Sequence, residues 1–211
     1  MAWDAYMGSI QDDRDPGFIA ACAAEGARLY SELLARFPDG LPRTSAGPDS
    51  DARSWRGKLF ELEHLQVGDI APALEARYEN GAEANPAELR GKITLVYFQQ
   101  GGSAEEGDLR ELRQLELKAR RGLPLVVLVL RREEEVPARR NLQGGLISAQ
   151  AKEAQDRPYP SIWDIGILPA SLVLDARGVI RHRALHGDEL VEAVNGLLVQ
   201  SVVPALLLHI P

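Results

Sequence analysis

Two apolar runs with a helix-forming stretch between them limit most sharply what this chain can fold into. "KITLVYF" (92–98) and "LPLVVLVLR" (123–131) are almost unbroken in Val, Ile, Leu and aromatic residues, the pattern of strands buried on both faces. Between them, "EEGDLRELRQLELKARR" (105–121) sets Leu109, Leu112 and Leu115 along one face, the spacing of an amphipathic helix. Further on, "ASLVLDARGVIRHRAL" (170–185) reads as a β-hairpin turning at Asp175-Ala176-Arg177-Gly178, with glycine where positive φ is needed. "GDELVEAVNGLLVQSVV" predicts a final helix. The polar connection 133–160 is expected to hold at most a short helix around residues 146–155. The resulting order β-α-β-(α)-β-β-α predicts an α/β fold, a mixed sheet flanked by helices.

Ahead of this lies a different kind of sequence. Residues 16–37 carry Phe18, Ile19, Cys22, Leu29, Leu33, Leu34 and Phe37 at roughly helical spacing, and Asp15-Pro16 suits an N-cap followed by Pro at the first helical position. Residues 37–54 are rich in Pro, Gly, Ser and Asp and read as a linker. A short amphipathic stretch follows, with Leu59, Phe60, Leu62 and Leu65 as its apolar contacts. Up to Glu88 the chain holds 16 acidic and 8 basic residues, and after it 15 and 16. The acidity therefore belongs to the N-terminal part, and two regions with different surfaces are expected. The domain reading is an N-terminal helical arm and linker (1–58), an α/β domain (59–198) and an apolar C-terminal tail (199–211).

Composition narrows the function. A net charge of −7 argues against a nucleic-acid partner, because phosphate binding needs a basic face. With three Trp, five Tyr and four Phe among 211 residues, the core has to be mostly aliphatic. The single cysteine, Cys22, cannot form an internal disulfide. It reads as a small buried apolar residue on a helix, with a reactive or intermolecular thiol as the alternative. The N-terminus shows no basic region followed by an apolar one, so the expectation is a cytoplasmic chain, or a periplasmic one if the N-terminus is processed. No run of 18 apolar residues is present to span a bilayer.

Four local motifs, in order, resemble the thioredoxin fold, and within it the TlpA/ResA-like branch of the AhpC/TSA (redoxin) superfamily. "LQVGDIAPALEA" (65–76) is similar to the family's L-x-V-G-x-x-A-P opening, and "LRGKITLVYF" (89–98) to its first main strand. "LPASLVLDARGVIRHRALHGDEL" (168–190) resembles the strand that starts at a cis-proline, the D-x-x-G-x-I hairpin and the turn after it. The resemblance covers roughly residues 59–198. It implies a strand-to-helix turn carrying Cys-x-x-Cys, whose positions fall here on Ser103 and Glu106. Family chemistry needs a thiolate at a helix N-terminus and a second thiol to resolve the mixed disulfide. Neither a hydroxyl nor a carboxylate can take those parts.

Ser103-Ala104-Glu105-Glu106 has the S-x-x-E spacing of a capping box, and its carboxylates suit the helix dipole. The expectation is a degenerate active site with no catalytic residue, Ser103 and Glu106 having structural roles. The alternative is a serine-based or other non-thiol activity there, although no G-x-S-x-G elbow surrounds Ser103. By the resemblance Pro169 is the cis-proline. Together with Leu168 it implies a groove edge for extended peptide, the plainer reading being a tight start to the strand. The segment before it, "SIWDIGILP", looks short for the family. His182 and His186 stand four apart but lack an H-E-x-x-H helix, so they read as surface residues and no metal or other cofactor is expected. "RREEEVPARR" (131–140) reads as a solvated loop.

The tail "GLLVQSVVPALLLHIP" (196–211) is almost wholly apolar. It is expected either to pack back onto the chain's own core or, as the alternative, to dock into a partner, with Val202, Val203, Leu206, Leu207 and Leu208 as the candidate partner-binding residues. The functional expectation is a redox-inactive thioredoxin-like domain, a pseudoenzyme, acting as a protein-binding or assembly subunit. Its partner would be a protein or larger assembly, with a membrane surface less favoured. The alternatives are a residual enzyme at Ser103/Glu106 and a peptide-binding module beside Pro169.

Overall fold

A computed structural model of the chain describes residues 16–40, 52–72, 76–78, 89–99, 106–131, 146–151 and 170–207. "KITLVYF" becomes strand β2 (Ile93–Gln99) and "LPLVVLVLR" becomes β3 (Leu125–Arg131), paired in parallel with Ile93 opposite Leu125. Helix α3 (Glu106–Arg120) joins them. As the unbroken apolar runs predicted, both faces of these strands are buried. Ile93, Leu95 and Tyr97 on one face, and Val96 and Phe98 on the other, are all shielded from solvent.

With β1 (Ala76–Tyr78), β4 (Leu146–Ala151), β5 (Ala170–Leu174) and β6 (Ile180–Arg183), the sheet has six strands in the order β1-β4-β3-β2-β5-β6. β5 lies antiparallel to β2, and β6 antiparallel to β5. The hairpin turn is built as expected. The Gly178 N–H donates to the Asp175 carbonyl (2.9 Å), and Gly178 has φ +83°, a conformation that costs a residue without Cβ nothing. Asp175 Oδ1 accepts from the Arg177 and Val179 N–H groups (2.8 and 3.0 Å), and Oδ2 from Arg181 Nε and Nη2 (2.9 and 2.7 Å). Burial alone would raise this carboxyl. The Val179, Arg181 and Arg177 hydrogen bonds outweigh burial and hold it below the usual range. The "LQVGDIAP" motif covers the outer edge of β6: Gly68 N–H donates to Ile180 O (2.8 Å), Ile180 N–H to Asp69 O (2.9 Å) and Ala71 N–H to Gly178 O (2.9 Å). An edge strand is thereby shielded from stray pairing.

Two sequence expectations need correction here. Residues 146–151 do not form a helix but strand β4 (Leu146–Ala151), parallel to β3, and β1 (Ala76–Tyr78) pairs antiparallel with β4. "LISAQA" has mixed propensity, and the exposed edge of β3 supplies ladder hydrogen bonds that a short isolated helix lacks. The second concerns the end of the last helix, expected over 187–203: helix α4 (Gly187–Leu207) runs four residues further, through Pro204. Pro204 removes one N–H donor from the helix, and here the helix continues past it.

The core on one face of the sheet joins Ile93, Leu95, Tyr97, Val127, Val129 and Val173 to Leu112 and Leu115 of α3 and to five α4 residues: Leu190, Val191, Val194, Leu197 and Leu198. It is aliphatic apart from Tyr97, as the composition required. Each such side chain contributes about 1.5–3 kcal/mol on burial. Lys118 of α3 also donates to Asn195 Oδ1 of α4.

Helices α1 (Pro16–Arg36) and α2 (Ala52–His64) belong to a second compact unit, which among the described residues ends at Gln66. α2 runs through the expected boundary at 58/59, because its apolar residues Leu59 and Leu62 continue the helical spacing begun at Trp55. α1 and α2 approach closely at Gly26, where a Cβ would stand 3.0 Å from Leu62 Cδ1. Arg56 Nη2 donates to Pro38 O (2.7 Å), and Lys58 Nζ pairs with the buried Glu61 (2.9 Å). Asp15, the expected N-cap, lies outside the described residues.

Candidate functional site

β2 and β6 both run antiparallel to β5, so they point the same way. α3 and α4 follow them and therefore start at one end of the sheet. At that end Phe98 of β2 is paired with Ala170 of β5, and Tyr97 with Ser171. The segment expected to hold the degenerate turn lies between Gln99 and Glu106, and Pro169, the expected cis-proline, immediately precedes Ala170 in the sequence. The described residues flanking both features are thus neighbours in the sheet. Ser103, Leu168 and Pro169 lie outside the described residues, as do Trp163 and most of "RREEEVPARR". Glu106 is the first residue of α3.

Ser171 fixes the geometry of this end. It is fully buried, and its Oγ donates to Leu185 O (2.6 Å) while its carbonyl accepts from Ala184 N–H (2.8 Å). Ala184 has φ +56° and is the only non-glycine described residue with positive φ, a conformation that costs an L-residue about 1–2 kcal/mol. The two Ser171 hydrogen bonds hold this strained link between β6 and α4, and so set where α4 begins. Asp188 and Glu189 then stand in the first turn of α4, the favourable end of the helix dipole for carboxylates.

Glu111 is the unexpected group. It sits in the second turn of α3 and is only 2 % exposed. Its Oε1 accepts from Arg110 Nε and Nη2 (3.2 and 3.1 Å), and its Oε2 is buried without a partner among the described residues. Seven residues before Lys118, it shares the helix flank that Lys118 turns toward Asn195. The sequence reading did not single out Glu111, Ser171 or Ala184. The available signal for Glu111 was its spacing, one turn before Leu115 on the core-facing side.

The remaining candidates are dispersed. Cys22 is half-buried on α1 and free, more accessible than the buried residue expected. His182 lies in β6, half-buried, and burial followed by the Arg181 charge lowers its pKa. His186 precedes α4 and is exposed. No group of three His, Cys, Asp or Glu side chains placed to hold a metal occurs among the described residues. Val202, Val203, Leu206 and Leu207 lie in the last turns of α4, and Leu208 is outside the described residues. Val199, where the core-facing run ends, is 62 % exposed. No helix among the described residues is long and apolar enough to cross a membrane.

No protein-family model matches the chain, and no curated protein matches it. Solved structures do. A thioredoxin-like protein from Bacteroides caccae aligns with a TM-score of 0.53 at 12% identity, covering 80% of this chain and 60% of that one. A domain of a "possible thiol-disulfide isomerase" from Cytophaga hutchinsonii aligns with a TM-score of 0.51 at 20% identity, covering 67% of this chain and 97% of that one. At such identities the likeness is one of fold. The protein is a thioredoxin-fold chain that lacks a Cys-x-x-Cys pair.

Proposed function

We propose that this chain is a redox-inactive thioredoxin-like domain that serves as a protein-binding or assembly subunit, with α1 and the last turns of α4 as its contact surfaces. The observation that supports this most is the position of its one cysteine. Cys22 lies on α1, in the unit outside the sheet, while the segment between β2 and α3 has no thiol at all. Thiol-disulfide exchange by the fold's usual route needs two thiols at that turn. The second support is α4. From Ala193 to Leu207 its sequence contains no charged residue, and Val199 is left exposed. An apolar, uncharged helix end suits a protein groove. It suits an anionic membrane surface poorly, since the chain is acidic and this stretch has no Lys or Arg.

The test is affinity capture from the native source with the full chain, a Val199→Asp/Val203→Asp variant, and a chain ending at Leu198. Partner bands that disappear in both altered forms support the reading and name the complex. Equal recovery from all three forms, or no partner with any, would sink it. A second reading, peptide binding beside Pro169, is favoured by one observation, the sheet pairing of Phe98 with Ala170 at the site end. Peptide capture that survives the α4 changes and is lost on altering Pro169 would favour it instead.

A further inference from the structure

Three tight turns meet at the end of the sheet opposite the one where α3 and α4 begin. Arg90-Gly91-Lys92 leads into β2, Arg120-Arg121-Gly122 closes α3, and Asp175–Gly178 joins β5 to β6. Gly91 N–H donates to Ala176 O (2.9 Å) and Ile93 N–H to Pro124 O (2.8 Å), which ties the first turn to both others. Gly91 and Gly122 have φ of +81° and +87°, the left-handed conformation that lets the chain reverse so tightly. Arg90, Lys92, Arg120, Arg121 and Arg177 are all exposed on these turns.

Elsewhere among the described residues, Arg28, Lys58 and Arg110 are bonded to carboxylates, and Arg56 and Lys118 to neutral oxygens. At the turns, Arg120 pairs with Glu116, and Arg177 and Arg181 share Asp175. Asp69 lies at their flank, its carbonyl accepting from Ile180 N–H. Arg90, Lys92 and Arg121 have no carboxylate partner among the described residues. This end is thus basic, in a chain whose net charge is −7.

The last turns of α4 reach the same end. Lys118 of α3 meets Asn195 of α4, and both helices run the same way. α3 stops at Arg120, whereas α4 continues from Asn195 to Leu207, about 18 Å at 1.5 Å per residue. The uncharged stretch with exposed Val199 therefore emerges beside the basic turns.

We propose that the basic turns bind an acidic segment of a protein partner, one whose carboxylates border the apolar groove that takes the end of α4. Charge complementarity selects this occupant: Arg90 and Arg121 present planar forks that match a carboxylate, with Lys92 between them in the same surface. The overall charge of the chain decides against larger polyanions. Screening confines each charge to about 8 Å at physiological salt, so a short acidic segment on the turns feels mainly their cations. A nucleic acid or an anionic membrane extends past them and meets the acidic remainder of the chain. Exposed pairs contribute little each, so the turns set orientation and on-rate while the apolar contact sets most of the affinity. The inference rests on the assembly reading, to which it adds the chemistry of the partner.

The probe is a fluorescent peptide of alternating Glu and Gly, titrated with the purified full chain and read by anisotropy. The parent should bind it at about 20 mM salt and at least fivefold more weakly at about 150 mM. Lys92→Gln/Arg121→Gln should weaken binding about tenfold. Arg36→Gln/Arg113→Gln removes the same charge from exposed positions elsewhere and should leave binding within about twofold. Unchanged melting temperatures confirm that both variants are folded. A parent that ignores the peptide overturns the inference, as does equal loss in both variants, which reduces the effect to net charge. Tighter binding to an oligothymidylate or to phosphatidylglycerol vesicles overturns the choice of a protein carboxylate. If the parent binds only after Glu79, Glu83 and Glu88 are changed to Gln, the chain's own acids occupy the turns and the inference fails. Peptide binding through the turns by a chain that captures no partner with α4 supports the acidic site and sinks the assembly reading alone. Partner capture through α4 by a chain that ignores the peptide does the reverse.

Discussion

The two helix pairs of this protein use their apolar residues differently. On α4, Leu190, Val191, Val194, Leu197 and Leu198 are all buried in the core they share with α3 and the sheet. On α1, Phe18, Leu29 and Leu33 are each more than a third exposed, although α1 is as long and its apolar spacing was just as plain in the sequence. A sheet offers a broad surface that can cover a wide helix face, whereas a single partner helix covers a narrow one. Apolar periodicity thus predicts a helix in both cases. It predicts burial only where the partner is wide enough.

The sharpest way to break this comparison is to truncate one leucine of each kind. Leu115→Ala, in the shared core, should destabilise the sheet unit by about 2–5 kcal/mol. Leu29→Ala should leave monomer stability within about 0.5 kcal/mol. Urea melts of both variants at low protein concentration measure the difference, and equal losses would mean that the α1 stripe is covered after all.

Next in size is the turn carboxylate. Asp175→Asn removes the charge from hydrogen bonds to Arg181 and two backbone N–H groups and should cost about 2 kcal/mol at neutral pH. Because the folded carboxyl is held below the unfolded one, its contribution is fully present above the ordinary Asp value of about 3.9. It is lost as the pH falls through the lower folded value. The parent should therefore lose stability on acidification more steeply than the Asn variant. Parallel pH profiles of the urea midpoint would refute the assignment.

Glu111 sharpens the comparison from the other direction, as a charge buried in the well-covered pair. Glu111→Met replaces an unpartnered carboxylate oxygen by apolar volume and should raise stability by about 1–2 kcal/mol. A drop in thermal midpoint would show that the carboxylate has a stabilising partner.

The smallest effect is expected at Ala184, which sets where α4 starts. Ala184→Gly relieves the left-handed strain at some cost in unfolded-chain entropy, for a net gain of about 0.5 kcal/mol. Ser171→Ala, which leaves the Leu185 carbonyl without its hydroxyl donor, should move stability the opposite way in the same melts.

Much of this architecture was legible from residues alone. The unbroken runs at 92–98 and 123–131 have no stable place except inside a sheet. Asp175 through Gly178 marks its turn by side-chain and φ chemistry that acts over four residues. The periodicity of 16–37 and 105–121 marks two helices, and the missing thiols are a fact of composition. All of these are local: each depends on a few residues close in the chain. Residues 146–151 did not announce themselves as a strand, because "LISAQA" owes its state to the edge of β3. The strain at Ala184 and the hydrogen bonds of Ser171 join residues 13 and 14 apart across a strand pair. The burial of Glu111 depends on what packs over its flank of α3. Nor could the sequence tell the covered helix from the half-covered one, since Leu29 and Leu115 sit in equally regular patterns. Spacing fixes which face of a helix is apolar; the area brought against that face is settled only when the chain folds.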